Sequence, residues 1–251
     1  MNNDITKIIT KLILPDHTIH IKLLGDSVTH GAGGSGYQQD GELIIEESAP
    51  RTGRWFRNTK GYCWANLFRD HMESQYDCKV INNACSGIGI EFILDNFHEL
   101  VSEDDDIVLC AIGHNNRAQH ISAGQKHTKR EHMELFYRNI LALHTKFREA
   151  GKDVIFIANV PTPASDENKP DGNGDVWRIF RMNDVHDLHL KASVECGFPM
   201  ISLYEAVMEY CEEHNITVDS LIADGLHPND EGYRVMFRLL MRKLGLALQV
   251  E

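Results

Sequence analysis

The segment IHIKLLGDS, at residues 19–27, is the stretch of sequence that decides the fold class. Its first part, Ile19–Leu24, is short and mostly apolar, as expected of a strand that is covered on both faces of a parallel sheet. Glycine, aspartate and serine follow directly, and these residue types favour a turn. We therefore interpret the segment as a buried strand whose carboxyl end presents polar side chains.

Four more segments of this kind follow along the chain, with helical patterns between them. The five predicted strands are Ile19–Leu24, Lys79–Asn82, Ile107–Ile112, Val154–Val160 and Pro199–Leu203. Apolar residues at helical spacing predict helices over Met133–Phe147 and Tyr233–Leu244, and Asn229 is the expected N-cap of the second. Alternating strands and helices indicate a parallel sheet with helices on both faces. Since no linker or repeat interrupts the 251 residues, we expect a single domain over residues 1–251.

The composition argues against several classes of protein. A formal net charge of −12 disfavours a nucleic-acid-binding protein, because phosphate binding requires a basic surface. No run approaches the roughly 20 apolar residues of a membrane span, and the first residues lack the features of a signal peptide. The six cysteines include no CxxC pair, which favours reduced and mostly buried thiols. We therefore predict a cytoplasmic protein without nucleic-acid or membrane partners.

Two motifs have the residue types of an acyl-transfer site. The serine of Gly25–Ser27 follows the first predicted strand, and its hydroxyl needs a base to become a nucleophile. The segment DGLHP, Asp224–Pro228, precedes the last predicted helix. An aspartate three residues before a histidine can hold that base in the reactive tautomer. Each motif alone is also compatible with an ordinary turn.

Two further motifs could bind a developing oxyanion. GHNN, at Gly113–Asn116, ends the third predicted strand, and the side-chain amide of Asn115 could donate a hydrogen bond to the oxyanion. NNACSG, at Asn82–Gly87, follows the second predicted strand. A glycine there allows a backbone N–H to approach the same oxyanion without side-chain hindrance.

In this order and spread over Gly25–Pro228, the four motifs resemble the four conserved blocks of the SGNH/GDSL hydrolase superfamily. The resemblance implies an α/β protein with a three-layer α/β/α, flavodoxin-like fold and a five-stranded parallel sheet. It also implies a serine esterase that acts on a small-molecule ester through an acyl-serine intermediate, with no cofactor and no metal. One departure is Asn116, which stands where the family usually has an aspartate outside the triad.

The resemblance also assigns roles to individual residues. It makes Ser27 the nucleophile, His227 the general base and Asp224 the residue that orients the base. The implied oxyanion hole consists of the backbone N–H groups of Ser27 and Gly87 and the side-chain amide of Asn115.

Basic and aromatic residues near the predicted site suggest the substrate. Three irregular segments, Gly31–Thr59, Arg117–Arg130 and Ala164–Asp175, each follow a predicted strand and should lie at the carboxyl edge of the sheet. Two stretches in these loops, Arg51–Lys60 and Arg117–Arg130, contain basic residues and no acids. Guanidinium groups bind anions, and aromatic faces suit sugar rings. We predict a short acyl group, acetyl first, on a carbohydrate or another polar and perhaps anionic molecule. The residues expected to contact it are Arg54, Trp55, Arg57, His114 and Arg117. Equally, these loops could be solvated and the tryptophans could belong to the core.

Other functions would fit parts of the sequence. An O-acyltransferase acting on a sugar acceptor would use the same triad. A non-catalytic carbohydrate-binding domain would have lost the triad, and the intact motifs give no support for such a loss. GAGGSG, at Gly31–Gly36, matches a dinucleotide fingerprint, but the helix and acidic strand end that should follow are missing.

Histidine and cysteine chemistry is the remaining alternative. The spacing of the four histidines between His114 and His132 matches no zinc-ligand pattern. His186 and His189 are expected on a helix, at the surface or half buried. Cys85 is expected to be a small buried residue and not a nucleophile.

Overall fold

The main sheet has the five strands predicted from the apolar segments. The computed structural model describes residues 2–47, 53–118, 128–163, 166 and 178–246. Its strands are β1 (Ile19–Gly25), β2 (Leu43–Glu47), β3 (Gly53–Phe56), β4 (Cys78–Asn82), β5 (Ile107–Ala111), β6 (Asp153–Ala158) and β7 (Met200–Ser202). Five of them form one sheet of order β4-β1-β5-β6-β7, and every neighbouring pair is parallel. This confirms the predicted α/β fold with a five-stranded parallel sheet.

The order of the strands decides where a ligand can bind. From β1 the chain continues to β4 on one side, and then to β5 on the other side of β1. Ligands of open α/β sheets bind at such a reversal, outside the carboxyl ends of the strands. Ser27 follows β1, and Gly87 and Asn115 follow its two neighbours, so the three predicted residues lie at one edge of the sheet.

Helices cover both faces of the sheet. They are α1 (Asn2–Ile13), α2 (Ser27–His30), α3 (Trp64–Gln75), α4 (Ile90–Asp95), α5 (Phe97–Leu100), α6 (Lys129–Glu149), α7 (Met182–Cys196), α8 (Leu203–Glu213) and α9 (Asp230–Leu244). One apolar layer joins the sheet to α1, α3, α8 and α9, and a second joins it to α4, α5, α6 and α7. Alternate residues of β5 enter the two layers, because successive side chains of a strand point to opposite faces.

Both predicted helices form, although α6 begins at Lys129, before the predicted Met133, and Asn229 caps α9 as predicted. Thr128 and Glu131 form a capping box at the start of α6, and the Asn229 side chain accepts the N–H of Gly232 at 2.9 Å as the N-cap of α9. Among the described residues no helix has the length and apolar character needed to cross a membrane. All six cysteines are free.

The hairpin strands β2 and β3 were not predicted. They pair antiparallel with each other, outside the main sheet, in the segment that the sequence analysis treated as an irregular loop. Their short sequences, LIIEE and GRWF, mix exposed and half-buried positions with one buried residue, Ile45, and lack a clear alternation. Trp55 of β3 contacts the segment after β4, as described below.

Candidate active site

Ser27 lies at a sharp turn from strand to helix. It is the first residue of α2, a single helical turn that begins directly after β1. The carboxylate of Asp26 caps this turn by accepting the N–H of Val28 at 3.1 Å. The turn directs the Ser27 hydroxyl toward the loop that precedes α9, and the residue keeps 7% of its surface exposed.

The predicted base and its orienting carboxylate lie beside this serine. His227 Nε2 is 2.9 Å from Ser27 Oγ, and His227 Nδ1 is 2.7 Å from Asp224 Oδ2. Because a carboxylate only accepts hydrogen bonds, Nδ1 carries the ring proton and Nε2 is free to accept the serine hydroxyl. The three side chains have the geometry that a serine nucleophile requires.

The aspartate is held by its own loop. Asp224 Oδ1 accepts the backbone N–H groups of Leu226 at 3.0 Å and His227 at 2.8 Å. Burial alone would raise the pKa of Asp224, but the hydrogen bonds from the backbone and the ring of His227 outweigh burial and lower that pKa. The carboxylate therefore stays ionised at neutral pH and can stabilise a positively charged imidazole.

Two of the three predicted oxyanion donors, Gly87 and Asn115, lie in the loops that follow the strands on either side of β1. Gly87 has φ +82, a conformation that favours glycine, and an added Cβ would meet nothing within 4 Å. The half-buried Asn115 donates one N–H of its amide to Ile88 O at 2.9 Å. This bond joins the loop after β5 to the loop after β4, and the amide has a second N–H.

Asn116 has a different environment from Asn115. It is buried, its Oδ1 accepts the N–H of Ile90 at 3.0 Å, and its Nδ2 donates to Glu91 Oε2 at 2.8 Å. The residue therefore fixes the start of α4. An amide suits this position because an aspartate would face the carboxylate of Glu91.

Arg117, predicted to contact substrate, is buried and paired within the protein. Its side chain is 0% exposed, and it donates to Asp166 Oδ2 at 2.9 Å and to Thr162 Oγ1 at 3.2 Å. Asp166 also pairs with Arg178 at 2.9 Å. Arginine is almost never fully buried unless it is paired, and this ion-pair cluster is such a case.

The two arginines near β3 are also paired. Arg57 donates from Nε to Asn83 Oδ1 at 3.1 Å and pairs with Glu42, so the structure argues against the predicted contact with substrate. Arg54 lies 3.2 Å from Glu46 and remains largely exposed. Of the three arginines proposed to bind substrate, Arg54 is the one that solvent reaches most freely.

Trp55 and His114 are likewise engaged in the protein. The indole N–H of Trp55 donates to Ser86 O at 3.0 Å, and its ring packs edge-on against Phe92 at 5.0 Å. His114 is only 2% exposed, and its Nδ1 lies 3.6 Å from Asp26 Oδ2. His114 is therefore enclosed by the protein, whereas Trp55 is half-buried and keeps part of its surface accessible.

The second basic segment is not an open cationic surface in its described part. Lys129 pairs with Asp184, and Arg130 pairs with Glu134. Residues 119–127 lie outside the described residues, as does most of Ala164–Asp175.

One group of residues near Ser27 was missed by the sequence analysis. His30, buried one turn after Ser27, lies 2.8 Å from Phe56 O through Nε2 and 2.9 Å from Ser86 Oγ through Nδ1. Tyr37 Oη lies 3.0 Å from the same Ser86 oxygen. Burial lowers the pKa of His30, which favours the neutral ring. The sequence offered one signal for this role, which is that His30 lies three residues after Ser27.

The glycine-rich segment has a packing role that differs from nucleotide binding. An added Cβ on Gly33 would lie 2.7 Å from the Cβ of His227 and 2.6 Å from the carbonyl oxygen of Pro228. Ser35 N donates to Asp230 Oδ1 at 2.7 Å, and Tyr233 Oη donates to Ala32 O at 2.6 Å. We call these contacts between residues 32–35 and 227–233 the terminal seam. The glycines allow the loop after α2 to approach the loop that carries His227.

The metal and thiol alternatives gain no support. The described ranges contain no group of three His, Cys, Asp or Glu side chains placed to bind a metal ion, although His120 and His127 lie outside those ranges. Burial raises the pKa of Cys85 to about 12, so its thiol is protonated at neutral pH.

Comparisons with known proteins agree with the fold and the motifs. The model of the GDSL-like lipase/acylhydrolase family matches residues 23–235. An acetylxylan esterase from Geobacillus stearothermophilus is 15% identical, with a TM-score of 0.64 over 94% of this chain and 98% of that one. A lipase/acylhydrolase from Enterococcus faecalis is 21% identical, with a TM-score of 0.60 over 93% and 100%. At such identities these structures show a shared fold, and no curated protein sequence matches the chain.

Proposed function

Because the chain belongs to the GDSL-like lipase/acylhydrolase family, it is a carboxylic ester hydrolase, and we propose that it removes a short acyl group from a small polar ester. Acetyl is the proposed acyl group, and a carbohydrate is the proposed class of alcohol. The observation that carries the mechanism is the continuous hydrogen-bonded chain from Ser27 through His227 to Asp224.

The proposed reaction uses this chain in two steps. His227 takes the proton of Ser27 as the hydroxyl attacks the ester carbonyl, while Asp224 stabilises the charged imidazole. The oxyanion accepts hydrogen bonds from the backbone of Ser27 and Gly87 and from the amide of Asn115. His227 then protonates the leaving alcohol, and the acyl-serine forms. Water activated by His227 hydrolyses it and restores the enzyme.

The distribution of apolar surface supports a short acyl group. Large apolar side chains that are more than 40% exposed in the described residues are Ile13, Leu14, Leu43, Leu190, Val194 and Met208. None of them belongs to the segments that carry Ser27, Gly87, Asn115 or His227. A long acyl chain would need apolar surface beside the nucleophile, because burial of its methylene groups is what favours its binding.

The alcohol part is proposed from two observations. The fold is shared with a protein described as an acetylxylan esterase. The charges favour a neutral substrate over an anionic one, since Arg57 and Arg117 are bound to side chains of the protein. We therefore propose a neutral acetylated carbohydrate and not a strongly anionic one.

A labelling experiment and a substrate panel test the proposal. A fluorophosphonate probe should label Ser27 in the wild type and nothing in Ser27→Ala. Among p-nitrophenyl esters, kcat/KM should fall from acetyl to butyryl to octanoyl, and acetylated xylo-oligosaccharides should release acetate. Labelling at another residue would contradict the nucleophile, and preference for octanoyl would contradict the short acyl group. Transfer of acetyl to an added sugar in preference to water would identify an acyltransferase.

A further inference from the structure

The side chain of Trp55 contacts the peptide unit that carries the proposed oxyanion donor. Its indole N–H donates to the carbonyl oxygen of Ser86 at 3.0 Å. That carbonyl and the N–H of Gly87 belong to one peptide group. Because a peptide group is planar, a bond that holds the carbonyl also fixes the direction in which the N–H points. The same bond polarises the peptide and makes its N–H a better donor.

Gly87 needs such an external support. It has no side chain to pack, and nothing would lie within 4 Å of an added Cβ. The loop is anchored before it, where Cys85 N donates to Gly25 O at 3.0 Å, and after it, where Asn115 donates to Ile88 O at 2.9 Å. Between these anchors the orientation of the Ser86–Gly87 peptide depends on the contacts of Ser86.

The side chain of Ser86 has a second support. His30 Nε2 faces the carbonyl of Phe56 and must carry the ring proton, so Nδ1 is an acceptor, 2.9 Å from the hydroxyl of Ser86 and 3.3 Å from that of Tyr37. The hydroxyl oxygens of Tyr37 and Ser86 are hydrogen-bonded to each other at 3.0 Å. The carbonyl of Ser86 is thus bound by Trp55 of the hairpin, and its hydroxyl is bound by His30 of α2 and by Tyr37.

The hairpin is built to present Trp55. An added Cβ at Gly53 would lie 2.3 Å from the indole, so the ring occupies space that only a glycine leaves open. The indole packs on Phe92 of α4. Arg57, two residues further on, binds Asn83 of the same loop after β4, so the hairpin contacts this loop at two points.

We propose that Trp55 is a positioning residue of the oxyanion hole, which acts by orienting the Ser86–Gly87 peptide through its hydrogen bond to the Ser86 carbonyl. This inference rests on the proposed function. It assigns to the hairpin a role in transition-state stabilisation in place of the substrate contact predicted from its sequence.

The test is Trp55→Phe, which keeps an aromatic ring against Phe92 and removes the indole donor. We expect kcat for p-nitrophenyl acetate to fall about tenfold, with KM within about twofold, because the oxyanion forms only in the transition state. The affinity of a methylboronic acid inhibitor, whose tetrahedral adduct places an oxygen in the oxyanion hole, should fall by a similar factor.

Trp64→Phe is the matched control. Trp64 is a buried tryptophan of α3 whose indole nitrogen has no hydrogen-bond partner among the described residues, so the same substitution removes no such bond there. We expect a lower Tm and an unchanged kcat. Gly53→Ala is a second variant that displaces the indole and should also lower kcat.

The outcomes separate the two proposals. If Ser27→Ala is inactive and folded Trp55→Phe keeps kcat within twofold, the positioning role is wrong and the proposed function stands. Equal losses of kcat in Trp55→Phe and Trp64→Phe would also overturn it, because they would reflect general destabilisation. If Ser27→Ala keeps full activity, the proposed function itself is wrong.

Discussion

The loop of Asp224 and His227 was predicted to be functional, and so was Arg117, which lies in a buried ion-pair cluster. The loop and the cluster differ in how their polar groups are satisfied. In the loop, Asp224 accepts hydrogen bonds from residues two and three positions further along the chain. The spacing of these residues in the sequence was therefore enough to predict the contacts. In the cluster, the partner of Arg117 is Asp166, 49 residues away. A local motif indicates its own contacts, whereas the role of an isolated arginine depends on a distant carboxylate.

The comparison is sharpest for the histidine of the loop. His227→Ala should lower kcat by at least about 10⁴-fold, since removal of a triad base from a serine hydrolase has an effect of this order or larger. Its Tm should change little, because the side chain is partly exposed. A folded variant that retains more than a tenth of the wild-type kcat would break the assignment. His214→Ala, on the exposed end of α8, is the control.

The two adjacent asparagines provide the next test. Asn115→Ala should lower kcat about 10²–10³-fold with little change in KM, as expected on removal of one oxyanion donor. Asn116→Ala should mainly lower stability, because it removes the bonds to Ile90 and Glu91. Steady-state kinetics and thermal unfolding of both variants check this. The reverse ranking would mean that the oxyanion donor is Asn116.

Arg117 tests the other side of the comparison. Arg117→Met should lower the free energy of unfolding by about 1–3 kcal/mol, because Asp166 loses one of its two guanidinium partners but keeps Arg178. Denaturant unfolding measures this loss. Since the guanidinium is buried, KM for acetyl esters should stay within about twofold. A large rise in KM at unchanged stability would support the original prediction that Arg117 contacts the substrate.

A second buried histidine predicts a pH effect on stability. His189 is fully buried, donates from Nε2 to Ile112 O at 3.1 Å, and has its pKa lowered by burial from 6.5 to about 4. Below pH 6.5 this histidine therefore becomes protonated in the unfolded chain, whereas in the folded chain it stays neutral down to about pH 4. Folding stability should fall as the pH drops through this window, by at most about 1.4 kcal/mol per pH unit from this group.

Denaturant unfolding between pH 4 and pH 7 measures this slope. His189→Gln keeps a donor for Ile112 O and should flatten the slope relative to the wild type. His30 and His144, whose pKa values burial also lowers, contribute in the same direction in both proteins. An unchanged slope in the variant would contradict the account.

The smallest effect is expected at Arg54. It is exposed and paired with Glu46, so Arg54→Ala should change kcat/KM for a neutral acetate ester by less than about twofold. Added salt should also have little effect, because a neutral ester carries no net charge for the protein to attract. A marked salt dependence that Arg54→Ala abolishes would support an anionic substrate instead.

The sequence predicted the main sheet because each of its strands is a short apolar run. Strands β2 and β3 could not be predicted in this way, since they pair with each other outside the sheet and their contacts are with distant residues. The burial of His189 was missed for the same reason. The sequence placed it on a surface or half-buried helix face, whereas the ring contacts Phe136 and Phe156 from two other elements.

The terminal seam has a consequence for how the protein becomes active. Ser27 and His227 are 200 residues apart, and the contacts of residues 32–35 with 227–233 bring the first strand and the last helix together. With the roles proposed above, the nucleophile emerges during synthesis long before its base, and the serine stays inert until α9 docks. Partial detachment of that helix would switch catalysis off while the central sheet stays intact. Activity is therefore a sensitive measure of whether the two ends of the fold are joined.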